Sequence, residues 1–348
     1  MTAAKPTQAK GAGAQGASRF QRPLRLGTRR SKLAFAQSEL VAESVRRLTG
    51  RAVELVAITT YGDVSRRHLS EIGGQGVFVA ALREAVMHGE VDLAVHSLKD
   101  LPTAQSEELV IAAVPPREDP RDVLVARDGL GFEQVLAAGG RPRIGTGSAR
   151  RAGQLHAWAR SLGGAIETVP VRGNVDTRIG YVHQGELDAV VLAAAGLSRL
   201  GRLAEATELI PLDAVLPAPG QGALAIECAS SSAHLTAQLA ELDDPLTRVA
   251  VTAERTLLAA LEAGCSAPVG ALADLHAEGP SGADLGTAST VTEMRLRGVV
   301  GTPDGSALVQ MSATGPVPAS YGDAVALGSE LAEEMLAKGA AGLMGERL

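Results

Sequence analysis

Between Leu24 and Cys228 short apolar runs alternate with amphipathic stretches of helical period, and two proline-rich segments interrupt the alternation. That pattern is what most restricts the fold. The runs predict strands at Leu24–Thr28, Val53–Thr60, Asp92–His96, Leu109–Val114, Val123–Ala126, Arg143–Gly145, Glu167–Val171, Ala189–Ala194 and Ala223–Glu227. The period predicts helices at Lys32–Leu48, Val77–His88, Ala149–Ser161 and Val175–Gln184. Strands that alternate with helices imply α/β layers with largely parallel sheets. The segments Val114-Pro115-Pro116 and Leu216-Pro217-Ala218-Pro219 read as crossings between lobes, so one lobe is inserted into another.

These crossings divide the chain into a domain 1 of residues 20–116 with 217–240 and an inserted domain 2 of residues 117–216. After Asp243 a long helical pattern (Leu246–Ala263), several strand-like runs and a last helix near Asp323–Ala337 read as an α+β domain 3, residues 241–348. Residues 1–19 carry small and polar side chains without a period and read as a disordered tail. The Gly/Ser/Ala stretch 278–290 reads as a mobile loop. A cleft between two such lobes, near the carboxyl ends of the strands, is the expected place for function.

The charge pattern bears on what that cleft binds. The net charge is −6, but residues 241–348 carry 15 acids against six bases, which leaves residues 1–240 at +3. Among the 33 basic residues only five are Lys, and the rest are Arg, the side chain that grips carboxylates and phosphates with two parallel bonds. Aromatics are only 2% of the chain, which argues against nucleic acid held on stacked aromatic platforms. No apolar run approaches the ~20 residues of a membrane span, and no export signal is read at the start, so a cytoplasmic location without membrane contact is expected. Two cysteines, Cys228 and Cys265, are too few for a disulfide framework or a cysteine-based zinc site, and no metal is expected.

Arginines recur at strand-to-helix corners. They stand in Gly27-Thr28-Arg29-Arg30-Ser31, in Gly145-Thr146-Gly147-Ser148-Ala149-Arg150-Arg151, in Arg172-Gly173-Asn174-Val175-Asp176-Thr177-Arg178 and in Gly196-Leu197-Ser198-Arg199. A helix N-terminus presents unpaired N–H groups to an anion, and an adjacent Arg strengthens the site. Any one corner is equally compatible with an ordinary turn and a surface arginine. Four together imply one cleft for a ligand with several carboxylates or phosphates.

Two further segments carry chemistry. His96-Ser97-Leu98-Lys99-Asp100-Leu101-Pro102 follows an apolar strand and sets a carboxylate beside the only lysine between residues 33 and 337. The pair is either a surface ion pair of little worth or a carboxylate kept ionised to stabilise a cation or move a proton. In Gly264-Cys265-Ser266-Ala267-Pro268 a cysteine lies in a loop, where reactivity or covalent attachment is expected; Cys228, inside an apolar run, reads as buried. Phosphate-loop, nucleophile-elbow, HExxH and CxxC patterns are all missing.

The stretches HSLKDLP (96–102), REDPRDV (117–123), GTGSARR (145–151), VRGNVDTR (171–178), AAAGLSRLG (193–201), PAPGQGALAIEC (217–228), VTAER (251–255) and GCSAPVG (264–270) together resemble the hydroxymethylbilane synthase, or porphobilinogen deaminase, family. The resemblance implies three domains: two hinged lobes like those of periplasmic binding proteins, and a smaller α+β domain that carries the cofactor cysteine. It implies an enzyme that joins four porphobilinogen molecules head to tail into linear hydroxymethylbilane, releasing ammonia at each step. Growth starts from a dipyrromethane cofactor held as a thioether, and Cys265 matches its attachment residue. Asp100 matches the catalytic aspartate. Lys99, Asp100, Thr146, Ser148, Arg150, Arg151 and Arg172 match cofactor-binding positions, and Arg29, Ser31, Arg172, Arg178 and Arg199 match substrate-binding ones. A monomer whose product passes to uroporphyrinogen-III synthase is the further implication.

Two positions depart from the family's pattern. Gln75 stands in the expected mobile loop, Gly62–Gly76, where many members have Lys, and Gly147 replaces the more usual Ser. Two other classes compete with the synthase. A two-lobed polyanion-binding protein without catalysis would suit the arginines but would have no use for Cys265. A nucleotide-dependent enzyme would lack the usual phosphate-loop lysine.

Overall fold

The computed structural model describes residues 22–59, 79–104, 106–263, 267–277 and 291–344. The tail 1–19, the segment around Gln75, Cys265 and the loop 278–290 lie outside the described residues.

In chain order the strands are β1 (Leu24–Arg29), β2 (Val53–Ile58), β3 (Leu93–Ser97) and β4 (Leu109–Ala113). Then come β5 (Asp122–Ala126), β6 (Arg143–Gly145), β7 (Glu167–Val169), β8 (Ala189–Ala193) and β9 (Glu208–Leu209). The last are β10 (Leu224–Ala229), β11 (Val269–Ala277), β12 (Val291–Gly301) and β13 (Leu308–Pro316). They form three sheets, ordered β2-β1-β3-β10-β4, β7-β6-β8-β5-β9 and β11-β12-β13. The first two are covered by helices and the third, an antiparallel meander, packs on two more, so the class is α/β with a smaller α+β unit.

The two five-stranded sheets are largely parallel in strand direction, each with one strand that runs against the other four. In the first sheet β1 runs parallel to β2 and β3, but β10 runs antiparallel to β3 and β4. In the second, β6 is parallel to β7 and β8, while β5 is antiparallel to β8 and β9. The two odd strands are those that follow the proline crossings. A chain that enters a lobe from its neighbour arrives at the end of the sheet where the βα units leave, and so must run against them.

Local chemistry explains the helices at the corners. Ser31 caps the helix Lys32–Thr49 by accepting from the Ala34 N–H, and Gly50 closes it at φ 66°. Ser148 caps Ala149–Ser161 by accepting from the Arg151 N–H, and Asn174 caps Val175–His183 through Thr177. Asp244 and Pro245 start the helix Pro245–Ala260. The short helices Phe132–Ala137, Ala194–Arg199 and Ala233–Leu239 were not expected; at six or seven residues they carry little periodic signal.

Alternation decides which face each side chain covers. Leu124, Ala126, Ala189 and Val191 pack on one side of the second sheet with Phe132, Ile144 and Leu155. Val123, Val125, Val190 and Leu192 pack on the other with Ile179, Val182 and Leu197. Both faces are buried, which is why these strands read as unbroken apolar runs.

The crossings touch each other. The Glu118 N–H donates to the Gly222 carbonyl at 3.2 Å. Gly222 has φ +88°, and a Cβ there would lie 2.4 Å from the Glu118 carbonyl oxygen, so only glycine fits.

Candidate active site

The turn that follows β3, Leu98–Asp100, is a single 3-10 turn at the carboxyl end of the strand. Its leucine is buried, Lys99 is half-buried and Asp100 is exposed. Apolar anchoring on one side thus turns a lysine and a carboxylate outward together. From the inserted lobe, the helix starting at Ala149 brings Arg150 and Arg151, and the helix starting at Val175 brings Arg178. The groups interact. Lys99 is lowered to about 8 by burial of its ammonium; Asp100 opposes that shift, and Arg151 adds to it. Arg178 is pushed below its ordinary value by burial and then by Arg151, while Asp100 pulls it back. Lys99, Asp100, Arg150, Arg151 and Arg178, far apart in the chain, therefore share one electrostatic site between two lobes.

One residue at its centre was not anticipated. Asp122 is fully buried and accepts from Arg150 Nη1 at 2.9 Å, Arg151 Nη2 at 2.7 Å and Gln221 Nε2 at 2.7 Å. The arginines offset the burial of the carboxylate and hold it well below the usual range. Arg150 also donates to the Leu216 carbonyl at 2.6 Å and Arg151 to the Val191 carbonyl at 3.0 Å. Gln221, from the second crossing, accepts from Lys99 Nζ at 3.2 Å through its Oε1. A single amide therefore links the lysine of one lobe to the arginine pair of the other. The signal for Asp122 is an acidic residue opening an apolar strand, and it is weak without the partners in view.

The remaining expected residues divide. Thr146 is buried and its hydroxyl accepts from the Ser148 N–H at 3.2 Å. The Ser148 hydroxyl accepts from the Arg151 N–H at 3.4 Å. Each hydroxyl thus spends acceptor capacity on the turn and keeps a proton to donate. Ser31 does the same for its own helix. Arg172 is half-buried, with no side-chain partner among the described residues. Arg29 ends β1, half-buried. Arg199 is not drawn into the Lys99 group: it donates to the Gly222 carbonyl at 2.6 Å and faces Glu118, at the crossings. Arg178 anchors itself on the Gly173 carbonyl at 2.9 Å. Cys228, on β10, is buried with its Sγ 3.4 Å from Thr236 Oγ1, and burial raises its thiol.

Gly147, expected only to cost a hydroxyl, has a steric role. A Cβ there would lie 2.9 Å from the Val171 carbonyl oxygen, so the backbone of the next corner closes over it.

Sequence comparison decides what this site belongs to. Residues 24–237 match the family model described as "Porphobilinogen deaminase, dipyromethane cofactor binding domain", and residues 248–337 match "Porphobilinogen deaminase, C-terminal domain". Porphobilinogen deaminase 1 of Streptomyces avermitilis is 71% identical over 94% of this chain and 99% of its own length. The porphobilinogen deaminase of Thermobifida fusca is 51% identical over 91% and 94%.

The chain belongs to the porphobilinogen deaminase family.

As a porphobilinogen deaminase it is a transferase that condenses four porphobilinogen molecules head to tail into hydroxymethylbilane with release of ammonia, and its cofactor is a dipyrromethane. A carrier that binds a polyanion without catalysis is not supported. The porphobilinogen deaminase of Mycobacterium tuberculosis, 49% identical over 92% of this chain, extends the same picture. Among solved structures, the Bordetella pertussis BvgS VFT2 domain aligns with a TM-score of 0.38 at 16% identity, over 63% of this chain and 85% of that one, and no argument rests on it.

The donor set suits a dipyrromethane. Such a group carries an acetate and a propionate on each ring, and the site supplies Lys99, Arg151 and Arg178 around the exposed carboxylate of Asp100. The Nε of Arg151 is a buried donor with no hydrogen-bond partner. No helix among the described residues is long and apolar enough to cross a membrane.

Proposed function

We propose that Asp100 is the catalytic carboxylate of this deaminase, and that the surrounding cations divide the carboxylates of cofactor and growing chain between them. The observation that carries this reading is the exposed Asp100 carboxylate beside Lys99, within electrostatic reach of Arg178 from the facing lobe. Ammonia leaving the aminomethyl group of porphobilinogen exposes positive charge on the substrate. A fixed carboxylate stabilises that charge and can accept from the pyrrole N–H groups.

Lys99, Arg150, Arg151, Arg172, Thr146 and Ser148 would hold the carboxylates of the dipyrromethane, with Asp100 facing its rings and Cys265 as its covalent anchor. When bound, the dipyrromethane supplies the terminal pyrrole carbon on which the chain grows. Arg29, Ser31, Arg172, Arg178 and Arg199 would take the carboxylates of incoming substrate and of the lengthening chain. Arg150 and Arg151 are each fixed by Asp122 and a backbone carbonyl, so little freedom is left to lose when a ligand arrives. The division into residues 20–116 with 217–240, 117–216 and 241–348 belongs to the same reading, with closure about the crossings. So do a cytoplasmic, monomeric enzyme and release of product to a uroporphyrinogen-III synthase.

Intact mass tests the anchor. The wild type should exceed its sequence mass by one dipyrromethane, and Cys265→Ser should not. Turnover tests the carboxylate: Asp100→Asn, loaded with cofactor, should lose at least ~10²-fold in kcat. Retained turnover would remove Asp100 from the mechanism.

A further inference from the structure

The guanidinium of Arg255 grips the backbone of the turn that carries Lys99 and Asp100. Its Nη1 donates to the Leu98 carbonyl at 3.1 Å and the Leu101 carbonyl at 2.9 Å, and its Nη2 donates to the Pro102 carbonyl at 2.6 Å. The arginine stands on the helix Pro245–Ala260, which packs on the third sheet. One helical turn earlier Val251, on the same face, packs against Leu98 and Leu101. Beneath the turn, the Leu98 N–H donates to the Ala223 carbonyl at 3.0 Å and the Leu101 N–H to the Leu98 carbonyl at 3.1 Å.

A single 3-10 turn has one internal hydrogen bond and leaves its last carbonyls unpaired. Such a turn frays unless something outside it satisfies them. A planar fork with five fixed donors does so with directional bonds, and a positive charge is favourable at the carbonyl end of a helical turn.

We infer that Arg255 is a positioning residue for the reaction: its three bonds to the 98–102 backbone hold Asp100 at the reacting centre and tie that placement to the third domain. The inference rests on the reading of Asp100 as the catalytic carboxylate. A displacement of an ångström at a reacting group costs on the order of 10²-fold in rate, whereas the arginines that grip ligand carboxylates stand on other elements and keep their places.

The test uses cofactor-loaded holoenzyme of Arg255→Gln, Arg255→Lys, Asp100→Asn and Leu257→Ala. Arg255→Gln should lose about 10²-fold in kcat with KM within about twofold, and Arg255→Lys, able to satisfy only part of the carbonyl set, about tenfold. Hydrogen exchange read by mass spectrometry should speed up in the peptide holding the Leu98 and Leu101 amides in both Arg255 variants. The alkaline limb of the pH profile should move upward as Lys99 gains water. Leu257→Ala, on the same helix but in the core of the third sheet, should lower the melting temperature by removing packing while leaving kcat and that limb in place. Arg255 variants that lose only melting temperature, or that raise KM with kcat intact, would overturn the inference. If Arg255→Gln does not fold, Arg255→Lys alone decides by its kcat and exchange. Full turnover by Asp100→Asn would instead overturn the underlying reading, and is told apart because it leaves the Arg255 exchange result standing.

Discussion

Arg117 and Glu254 stand 137 residues apart in the chain and meet as a two-pronged pair, Nη1 to Oε1 at 2.6 Å and Nη2 to Oε2 at 3.0 Å. The arginine opens the inserted lobe and the glutamate lies on the helix Pro245–Ala260. Glu254 has no exposed surface, and it also accepts from the Gly220 N–H at 2.7 Å and the Ala273 N–H at 2.9 Å. Arg117 in turn donates through Nε to the Gln221 carbonyl at 2.8 Å. One carboxylate thus joins both crossings to the third sheet. Glu254→Ala leaves a buried cation and two backbone donors unpaired, and should cost about 3–5 kcal/mol. Urea unfolding checks this, with Glu254→Gln expected to lose less because it still accepts.

Asp122 plays the matching part inside the site. Asp122→Ala strips Arg150 and Arg151 of their shared counter-charge and should likewise cost about 3–5 kcal/mol in urea unfolding. Asp122→Asn keeps the shape but leaves two guanidinium groups freer to turn, so KM for porphobilinogen should rise in that variant ahead of any fall in kcat. An unchanged KM would show that the arginines need no internal anchor.

Lys99 should titrate near 8, because burial penalises its charge more than Asp100 restores it. The chain has five lysines, so reductive methylation with a carbon-13 label should give five lysine signals beside that of the α-amino group, and the signal that Lys99→Arg removes should have its midpoint near 8. Asp100→Asn should move that midpoint further down, since Asp100 raises it. The sign for stability follows. Between about 8 and the ordinary lysine value of 10.5 the unfolded chain binds a proton that the folded chain has lost, so this lysine's contribution to stability rises with pH through that window and is least favourable below it.

Gly147→Ser restores the residue more usual at this position in the family, yet it should not improve the enzyme. The added Cβ would meet the Val171 carbonyl oxygen at 2.9 Å, and that carbonyl is backbone. The corner must open, at a cost of about 1–3 kcal/mol. Thermal melts check the cost, and KM for substrate reports whether Arg172, the next residue, moves with it.

Much of the candidate site is legible in the sequence, and the legible part has a common character. Asp100 and Lys99 share a turn, Arg150 and Arg151 open a helix behind a capping serine, and Arg172 and Arg178 bracket an asparagine cap; each is a local pattern of a few residues. What was not legible joins distant segments. Asp122 lies 28 residues from Arg150, Gln221 lies 122 from Lys99, and Arg255 lies 154 from Leu101. No spacing rule marks a carboxylate whose partners arrive from another lobe. The antiparallel course of β5 and β10 was hidden for the same reason, because an apolar run looks alike in either direction.

By itself the sequence determined what local interactions determine: where strands and helices lie, which residues cap them, and that arginines gather at their corners. Its motifs also carried the family. The tertiary structure alone decided which charges meet. It set Lys99 and Asp100 against arginines of the facing lobe, filled the space between the arginines with Asp122, and hung the Leu98–Asp100 turn from Arg255 of the helix Pro245–Ala260. A hydrogen bond or an ion pair acts over a few ångströms, and only the packing of the sheets and helices brings residues so far apart in the chain within that range.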